Sequence, residues 1–478
     1  MSRQAKNVLK ELLSSGSGKI GAAFFIALVI ISIGVIVAYP ANFGLRYWSN
    51  PVLWADNPQV APPSWTNLFS SEKHLETKVF ESTGQAERLS EPGATRIVYR
   101  FNLNYVADEA PSFTSLTVQN VSYQDRPPII AVTVQRPDGK SIGLYQLIVS
   151  GPRPGEQPPF RRYYDTPFRV QLSGEPNVAS AVSDFLEQQF SLPISDQDLL
   201  VKGVDQAVFG VPDGDGGFKV LKGNYTIRVD TLLYNQSDSV GHLKYVVGGS
   251  VFGLLGTDTL GRDLSVGLLF GFPVALFIGL VTSVVTTFIG TVTGIVSGYM
   301  GGKTDTVIQR ASDILANIPL LPILIFLAFI VGQNLFLIIL ILIAFGWPGL
   351  TILIRSMVLQ IRSGNLVEAT MTLGASKSRI MFRHIFPQTA PFVFATMIFS
   401  TPAAILAEAS LSFLGLGDPS LPTWGQILES GFQNGGVYVG YWWWILPPGL
   451  LIVITAMTFV LLALALEPVV NPRLRRVQ

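Results

Sequence analysis

The sequence predicts an α-helical membrane protein with six transmembrane helices and a large β-rich, sandwich-like insertion between the first and the second. Three observations carry that prediction. Of 478 residues, 49% are hydrophobic and only 14% are charged, too apolar a balance for a water-soluble enzyme. The apolar residues gather into long, almost uncharged runs towards the two ends of the chain. The middle is the opposite: residues 40–255 hold 18 of the 33 Lys and Arg and 22 of the 32 Asp and Glu, and their apolar residues alternate with period two.

Residues 20–39 (IGAAFFIALVIISIGVIVAY) are an uncharged run of the ~20 residues a helix needs to cross a bilayer. Arg3, Lys6, Lys10 and Lys19 precede it. A secretory signal peptide shares the basic start, but its apolar stretch is typically ~7 to 15 residues and ends at small residues. This run ends at Tyr39 and Pro40, which predicts an uncleaved first span. Five further runs lie at about 266–299, 314–331, 335–354, 392–416 and 442–466. Lys303 and Arg310 fall between the second and third, Arg355, Arg362, Lys377, Arg379 and Arg383 between the fourth and fifth, and Arg473, Arg475 and Arg476 after the sixth. The connections 332–334 and 417–441 contain no Lys or Arg. One orientation satisfies every short loop: both termini and the 355–391 connection are cytoplasmic, and residues 40–265 lie on the far side of the cell membrane. Trp442, Trp443 and Trp444 are then expected in an aromatic belt at the outer face. The expected organisation is a cytoplasmic segment 1–19, a first helix 20–39, an extracytoplasmic insertion 40–255 with a β-rich core at about 65–245, and a core of helices two to six over 256–478.

Within the insertion, residues 96–105 (RIVYRFNLNY) put Ile97, Tyr99, Phe101, Leu103 and Tyr105 on one face, the period of a half-buried strand. Residues 129–135 form another, followed by the turn Arg136-Pro137-Asp138-Gly139 and a returning strand at 142–149. Residues 223–229 (GNYTIRV) resemble a late strand of an immunoglobulin-like sandwich, with Tyr225 placed as a corner tyrosine. Residues 179–190 read as a short helix. Asn120, Asn224 and Asn235 each begin an N-x-[ST] sequon, consistent with glycosylation or with chance in a polar domain.

Residues 365–387 (NLVEATMTLGASKSRIMFRHIFP) are too polar to enter the bilayer. Leu366, Val367, Met371 and Leu373 predict a short helix, Gly374 its end, and Ser376 the cap of a second helix running to Ile385, after which Pro387 opens the next span. Two short helices joined at a glycine make a projecting knob that a partner protein can grip. The spacing of Glu368 and Ala369, then Gly374, then His384-Ile385-Phe386-Pro387 resembles the EAA loop of ABC importer permeases, the helix pair that docks into a groove on the ATPase subunit. Thr370 stands where that family usually has a second alanine, and Phe386 where it has leucine. Ala375, Ser376 and Arg379 complete the expected docking surface.

Three further segments are similar to the dipeptide, oligopeptide and nickel branch of these permeases. Gly256-Thr257-Asp258-Thr259-Leu260-Gly261-Arg262-Asp263 matches its G-T-D-x-x-G-R-D run. Residues 406–417 (LAEASLSFLGLG) match the run closing its fifth helix, followed by Pro422-Thr423-Trp424-Gly425. The resemblance covers 256–478 closely and 1–40 loosely, and it does not extend to the insertion. It implies the type I ABC importer permease fold and, as partners, a second homologous permease in a heterodimer, two ABC ATPases, an extracytoplasmic solute-binding protein and surrounding membrane lipid. It implies alternating access driven by ATP and Mg bound on the ATPases, with no cofactor on this chain, and peptides as cargo, nickel or oligosaccharides being the alternatives.

Physical reading of these segments leaves choices open. Asp258 is expected to cap a short helix at the outer mouth, with Arg262 and Asp263 finding partners there, either bracing the mouth or touching substrate. Glu408, accompanied by Ser410 and Ser412, is costly inside an apolar span; it makes a packing or inter-subunit bond, lines the pathway, or sits at the interface. Asp313 poses the same question. Pro319, Pro322, Pro348 and Pro402 interrupt spans.

Several classes are excluded or disfavoured. Cysteine is absent and only His74, His242 and His384 are present, so thiolate chemistry is impossible and a metal cluster is hard to build. A net charge of +1 argues against a nucleic-acid surface. Gly16-Ser17-Gly18-Lys19 lacks the upstream glycine and the following Ser or Thr of a phosphate-binding loop. No catalytic constellation appears, so the chain is expected to be a non-enzymatic subunit of a translocase. A secondary transporter would call for inverted repeats, and none is evident.

Overall fold

The structure is a computed structural model and describes residues 14–40, 42–82, 86–214 and 216–470. Arg3, Lys6, Lys10, Arg473, Arg475 and Arg476, on which part of the orientation argument rests, lie outside the described residues. The chain divides into two compact units, one formed by residues 1–50 with 264–478 and one by Pro51–Asp263.

The helical unit begins with α1 (Gly16–Ala38), started by Ser15, whose hydroxyl accepts the Gly18 amide at 3.0 Å. Gly16 to Lys19 are therefore the opening turn of a helix.

The Pro51–Asp263 unit contains twelve strands among the described residues. They are β1 (Lys78–Glu81), β2 (Glu87–Glu91), β3 (Ala94–Tyr105), β4 (Phe113–Tyr123), β5 (Ile129–Gln135), β6 (Ser141–Ile148), β7 (Phe160–Arg162), β8 (Phe168–Gln171), β9 (Gly210–Pro212), β10 (Phe218–Val220), β11 (Gly223–Leu233) and β12 (Ser239–Gly248). One antiparallel sheet runs β2-β3-β11-β5-β6; the other runs β1-β12-β4-β7, with β8 also on β4. Inner residues of both sheets, among them Leu103, Tyr105, Tyr225 and Ile227 of the first and Leu116, Val118 and Tyr245 of the second, share one core with α2 (Pro176–Phe190). Tyr225 is fully buried and its hydroxyl donates to the Leu221 carbonyl at 2.8 Å, tying the chain back four residues upstream. The β5 to β6 turn closes through Gly139 at φ +81°, but its first residue is not a solvated arginine. The Arg136 guanidinium is buried and donates to the carbonyls of Ala207, Val208 and Gly210 at 2.9, 2.9 and 2.7 Å.

Two further short helices, α3 (Asp196–Lys202) and α4 (Val204–Val208), lie in this unit. α4 buries Asp205, 5% exposed, whose Oδ1 accepts the Thr114 hydroxyl at 2.8 Å. Burial pushes this carboxyl up to about 6, against the pull of the Ser173 and Thr114 hydroxyls. Of the sequons, Asn224 is exposed on β11, Asn120 takes φ +55° in β4, and the Asn235 side chain accepts from Ser237.

The helical unit resumes with α5 (Leu264–Met300), α6 (Gly302–Asn317), α7 (Leu320–Val331), α8 (Leu335–Arg362), α9 (Asn365–Thr372), α10 (Lys377–Ile380), α11 (Phe386–Phe413), α12 (Trp424–Gln433) and α13 (Trp442–Val470). Among the described residues five helices are long and apolar enough to cross a membrane, or six if the α6 and α7 pair counts as one broken span. The third span expected at 314–331 is therefore not one straight helix. α6 and α7 meet at 80°. The cause is Pro319, which lacks an amide donor and forces Ile318 into an extended conformation at φ −77°, ψ 126°. Asp313 lies on α6, exposed, outside the apolar α7.

The aromatic belt expected of three tryptophans is also corrected: Trp442 is 38% exposed, whereas Trp443 and Trp444 are buried at 7% and 0%. Trp444 fills the space under Gly431 of α12, where an added Cβ would lie 3.0 Å from its ring.

Candidate functional site

The loop after α8 is built by two terminators. α9 ends in a Schellman arrangement: Gly374, at φ +74°, donates to Met371 O at 3.0 Å and Ala375 donates to Thr370 O at 3.2 Å. Ser376 then caps α10, accepting the Arg379 amide at 3.4 Å. Glu368 lies in the first turn of α9, where a carboxylate complements the helix dipole. The expected second helix, ending before a fresh span opened by Pro387, is corrected. α10 runs through a wide π turn (Met381–Ile385) directly into α11, forming one 37-residue helix, Lys377–Phe413. Pro387 has no amide to give to the turn before it, and the widened turn absorbs the lost bond.

The loop has two faces. Val367, Ile380, Met381 and Ile385 are buried in one cluster with Ile295 and Tyr299 of α5 and Ile354 and Val358 of α8. Leu366, Met371, Leu373 and Phe382 are 57%, 51%, 87% and 47% exposed, beside exposed Glu368, Ala369, Ser376, Arg379 and Pro387. Ala375 and His384 are half-buried, and the His384 carbonyl accepts from Gln388. An anchored inner face and an apolar, charged outer face suit a protein contact.

Glu408 on α11 is 4% exposed and accepts the Ser412 hydroxyl at 2.7 Å, with the Thr423 hydroxyl also beside it. Gly425 of α12 packs on the Ala409 backbone, and Gly417 leaves room for Ser412 and Gln426. Trp424 donates from its indole to the Leu268 carbonyl at 2.9 Å over Gly271 of α5. Ser410 is exposed and bonds back to Leu406 O, so the structure joins Glu408 to Ser412 but not to Ser410.

Comparison with known proteins follows this geometry. Residues 290–476 match the family described as binding-protein-dependent transport system inner membrane component. The oligopeptide transport system permease protein OppC of Bacillus subtilis is 36% identical over 222 residues, 46% of this chain and 72% of that protein. The dipeptide transport system permease protein DppC of the same organism is 35% identical over 222 residues, 46% of this chain and 69% of that one. OppC of Escherichia coli is 36% identical over 219 residues, 46% and 72% of the two chains. The chain belongs to the inner-membrane permeases of binding-protein-dependent transport. It is an ABC importer permease of the dipeptide and oligopeptide branch. A solved structure titled as inward-facing conformations of the MetNI methionine ABC transporter aligns at 23% identity over 41% of this permease and 94% of that chain, with a TM-score of 0.32.

In this permease the G-T-D-x-x-G-R-D run lies in the Pro51–Asp263 unit, not with the helical core where the sequence division at residue 256 put it. The reason is long-range bonding: the Thr257 hydroxyl accepts the Ala61 amide at 2.9 Å and donates to Pro58 O at 2.7 Å. Asp258 caps a turn rather than a helix. Its buried carboxylate accepts the Leu260 and Arg262 amides at 2.9 Å each and the Arg262 guanidinium at 2.5 Å. Gly256 and Gly261 take φ +73° and +74°, and Gly261 admits the Trp54 and Asn57 carbonyls where a Cβ would stand. Asp263 pairs with Thr257 in an isolated bridge.

Sequence reasoning missed Asp305 and Arg355 as a pair. Arg355 donates to both Asp305 oxygens at 2.6 and 2.5 Å. Arg355 was visible as a charge at the end of a span, but nothing in the sequence marks Asp305, fifty residues away, as its partner.

Proposed function

We propose that this chain forms half of the translocation path of a peptide importer, with ATPase subunits seated on the 365–387 loop. The observation that carries the reading is the loop itself: a rigid glycine-joined helix pair, anchored on α5 and α8, whose outer side exposes Leu366, Met371 and Leu373 together with Glu368 and Arg379. ATP and Mg act on the partner subunits, and ATP-driven closure of those subunits moves the loop and with it the helices that gate the path. A second homologous permease supplies the other half, membrane lipid surrounds the bundle, and the chain itself performs no catalysis. Peptide cargo is favoured because the relatives named above are oligopeptide and dipeptide permeases.

The remaining assignments follow from charge topology and packing. Counting α6 and α7 as one broken span gives six crossings, puts both termini and the loop in the cytoplasm, and puts residues 40–265 outside. The β-rich unit is then a docking platform for an extracytoplasmic solute-binding protein. The Thr257 to Asp263 turn has a structural role rather than a cargo contact, and Glu408 with Ser412 is a packing knot between α11 and α12.

Gly374→Pro or Glu368→Lys should abolish uptake while the subunit still inserts, because each spoils the outer face or the φ +74° joint. Co-purification with the ATPase subunits and ATP-driven uptake of a labelled oligopeptide are the measurements; either variant retaining full uptake would sink the docking role.

A further inference from the structure

The contact between α5 and α8 is made for close approach. Gly290, Gly294 and Gly298 recur every fourth residue on α5, and a Cβ at each would lie 3.0, 2.9 and 3.0 Å from the α8 carbonyls of Trp347, Thr351 and Arg355. The Thr293 and Thr351 hydroxyls bond across the seam at 2.7 Å. Where the seam ends, three helices converge on one carboxylate. Asp305 of α6 takes the bidentate fork of Arg355 from α8 and the Ser297 hydroxyl of α5 at 2.5 Å, and Gln309 of α6 donates to that hydroxyl at 3.0 Å.

α6 buries little of its surface. Ser312 is its one fully buried residue, with Ile308, Ala311 and Leu315 half-buried, and the polar cluster fixes its orientation. Arg355 also sits between Ile354 and Val358, both fully buried against the 365–387 loop. The same stretch of α8 thus touches the loop through its apolar side chains and α6 through its guanidinium. Beyond α6 comes the 80° break into α7.

We propose that Asp305 and Arg355 are positioning residues for transport, the contact through which displacement of the loop is passed to α6. This rests on the docking role proposed for the loop. A bidentate guanidinium–carboxylate pair fixes orientation as well as distance, which a single point charge does not. Without it α5 and α8 still move together through their glycine seam, and α7 keeps its own apolar contact with α8 and α11 through Leu324, Ile338, Ile341 and Leu411, while α6 loses the contact that orients it.

The permease has no cysteine, so spin labels can be attached at Phe288→Cys on α5 and Ile314→Cys on α6, sites 67% and 62% exposed. The complex with its ATPase subunits, in lipid, is measured by pulsed electron resonance without nucleotide and trapped with ATP, Mg and vanadate. The label separation should shift on trapping in the parent, lose that shift in Asp305→Asn, keep part of it in Arg355→Lys, and regain it in the exchanged pair Asp305→Arg with Arg355→Asp. A merely structural pair would lower thermal stability in Asp305→Asn but leave the shift intact, and that result overturns the proposal. Failure of the ATPases to co-purify with the parent would overturn the docking role and this proposal together; co-purification with an undiminished shift in Asp305→Asn overturns this one alone.

Discussion

Replacing Asp205 by Asn should stabilise the β-rich unit at neutral pH and erase a pH dependence that the parent shows. The carboxyl is 5% exposed and its partners are neutral hydroxyls, so burial raises it from the ordinary 3.8 to about 6. A group raised on folding binds its proton more tightly in the native state. Its contribution to stability is therefore full below about pH 4 and is lost as the pH rises through about 6. At about 1.4 kcal/mol per unit, the interval between 3.8 and about 6 corresponds to about 3 kcal/mol. The Asn side chain keeps the size and an oxygen for Thr114, and it cannot ionise. Hydrogen exchange of the β4 amides in the full-length protein, corrected for intrinsic rates, reads the opening free energy at pH 4 and pH 7.5. The parent should lose protection between the two while Asp205→Asn does not, and the two should converge at pH 4. If the variant exchanges as fast as the parent at pH 7.5, or shows the same slope, the carboxylate is compensated and the reasoning fails.

Tyr225→Phe removes the bond to Leu221 O inside the core and should cost about 1 kcal/mol of local stability, read as faster exchange at Ile227 and Val229. Gly294→Val drives a Cβ to 2.7 Å from Ile354 and should prevent the α5 to α8 seam from closing, whereas Gly349→Ala, with nothing within 4 Å, should leave the melting temperature in detergent unchanged. Glu408→Gln keeps the reach to Ser412 and should preserve both assembly and labelled-oligopeptide uptake; intact assembly with lost uptake would place Glu408 in the cargo path.

Local chemistry was readable in advance where a segment answers to itself. Residues 129–135 read as a strand before a turn, and β5 has those bounds, with Ile130, Val132 and Val134 buried because one face of an antiparallel strand must be. Gly374 and Ser376 announced a helix end and a helix start, since both devices act within four residues. Long-range contacts were not readable. Thr257 is fixed by Ala61, 196 residues away, and Arg136 looked like a turn residue until α4 and β9 supplied three carbonyls. Hydropathy ran unbroken through residues 314–331, yet a backbone without one amide donor bends there, and an average over apolar side chains does not register it.

The continuity of Lys377–Phe413 also has a geometric consequence. Thirty-seven residues at about 1.5 Å each make a rod about 55 Å long, with one end in the loop and the other beside Glu408. Tilting such a rod by about ten degrees about its midpoint carries each tip about 5 Å sideways, in opposite directions. Pro391 and Pro402 lie within it, and the helix is continuous through both. On the orientation proposed above, a small rocking at the loop end is returned at the far end with its sense reversed, so the same helix would narrow one mouth of the proposed path as it widens the other.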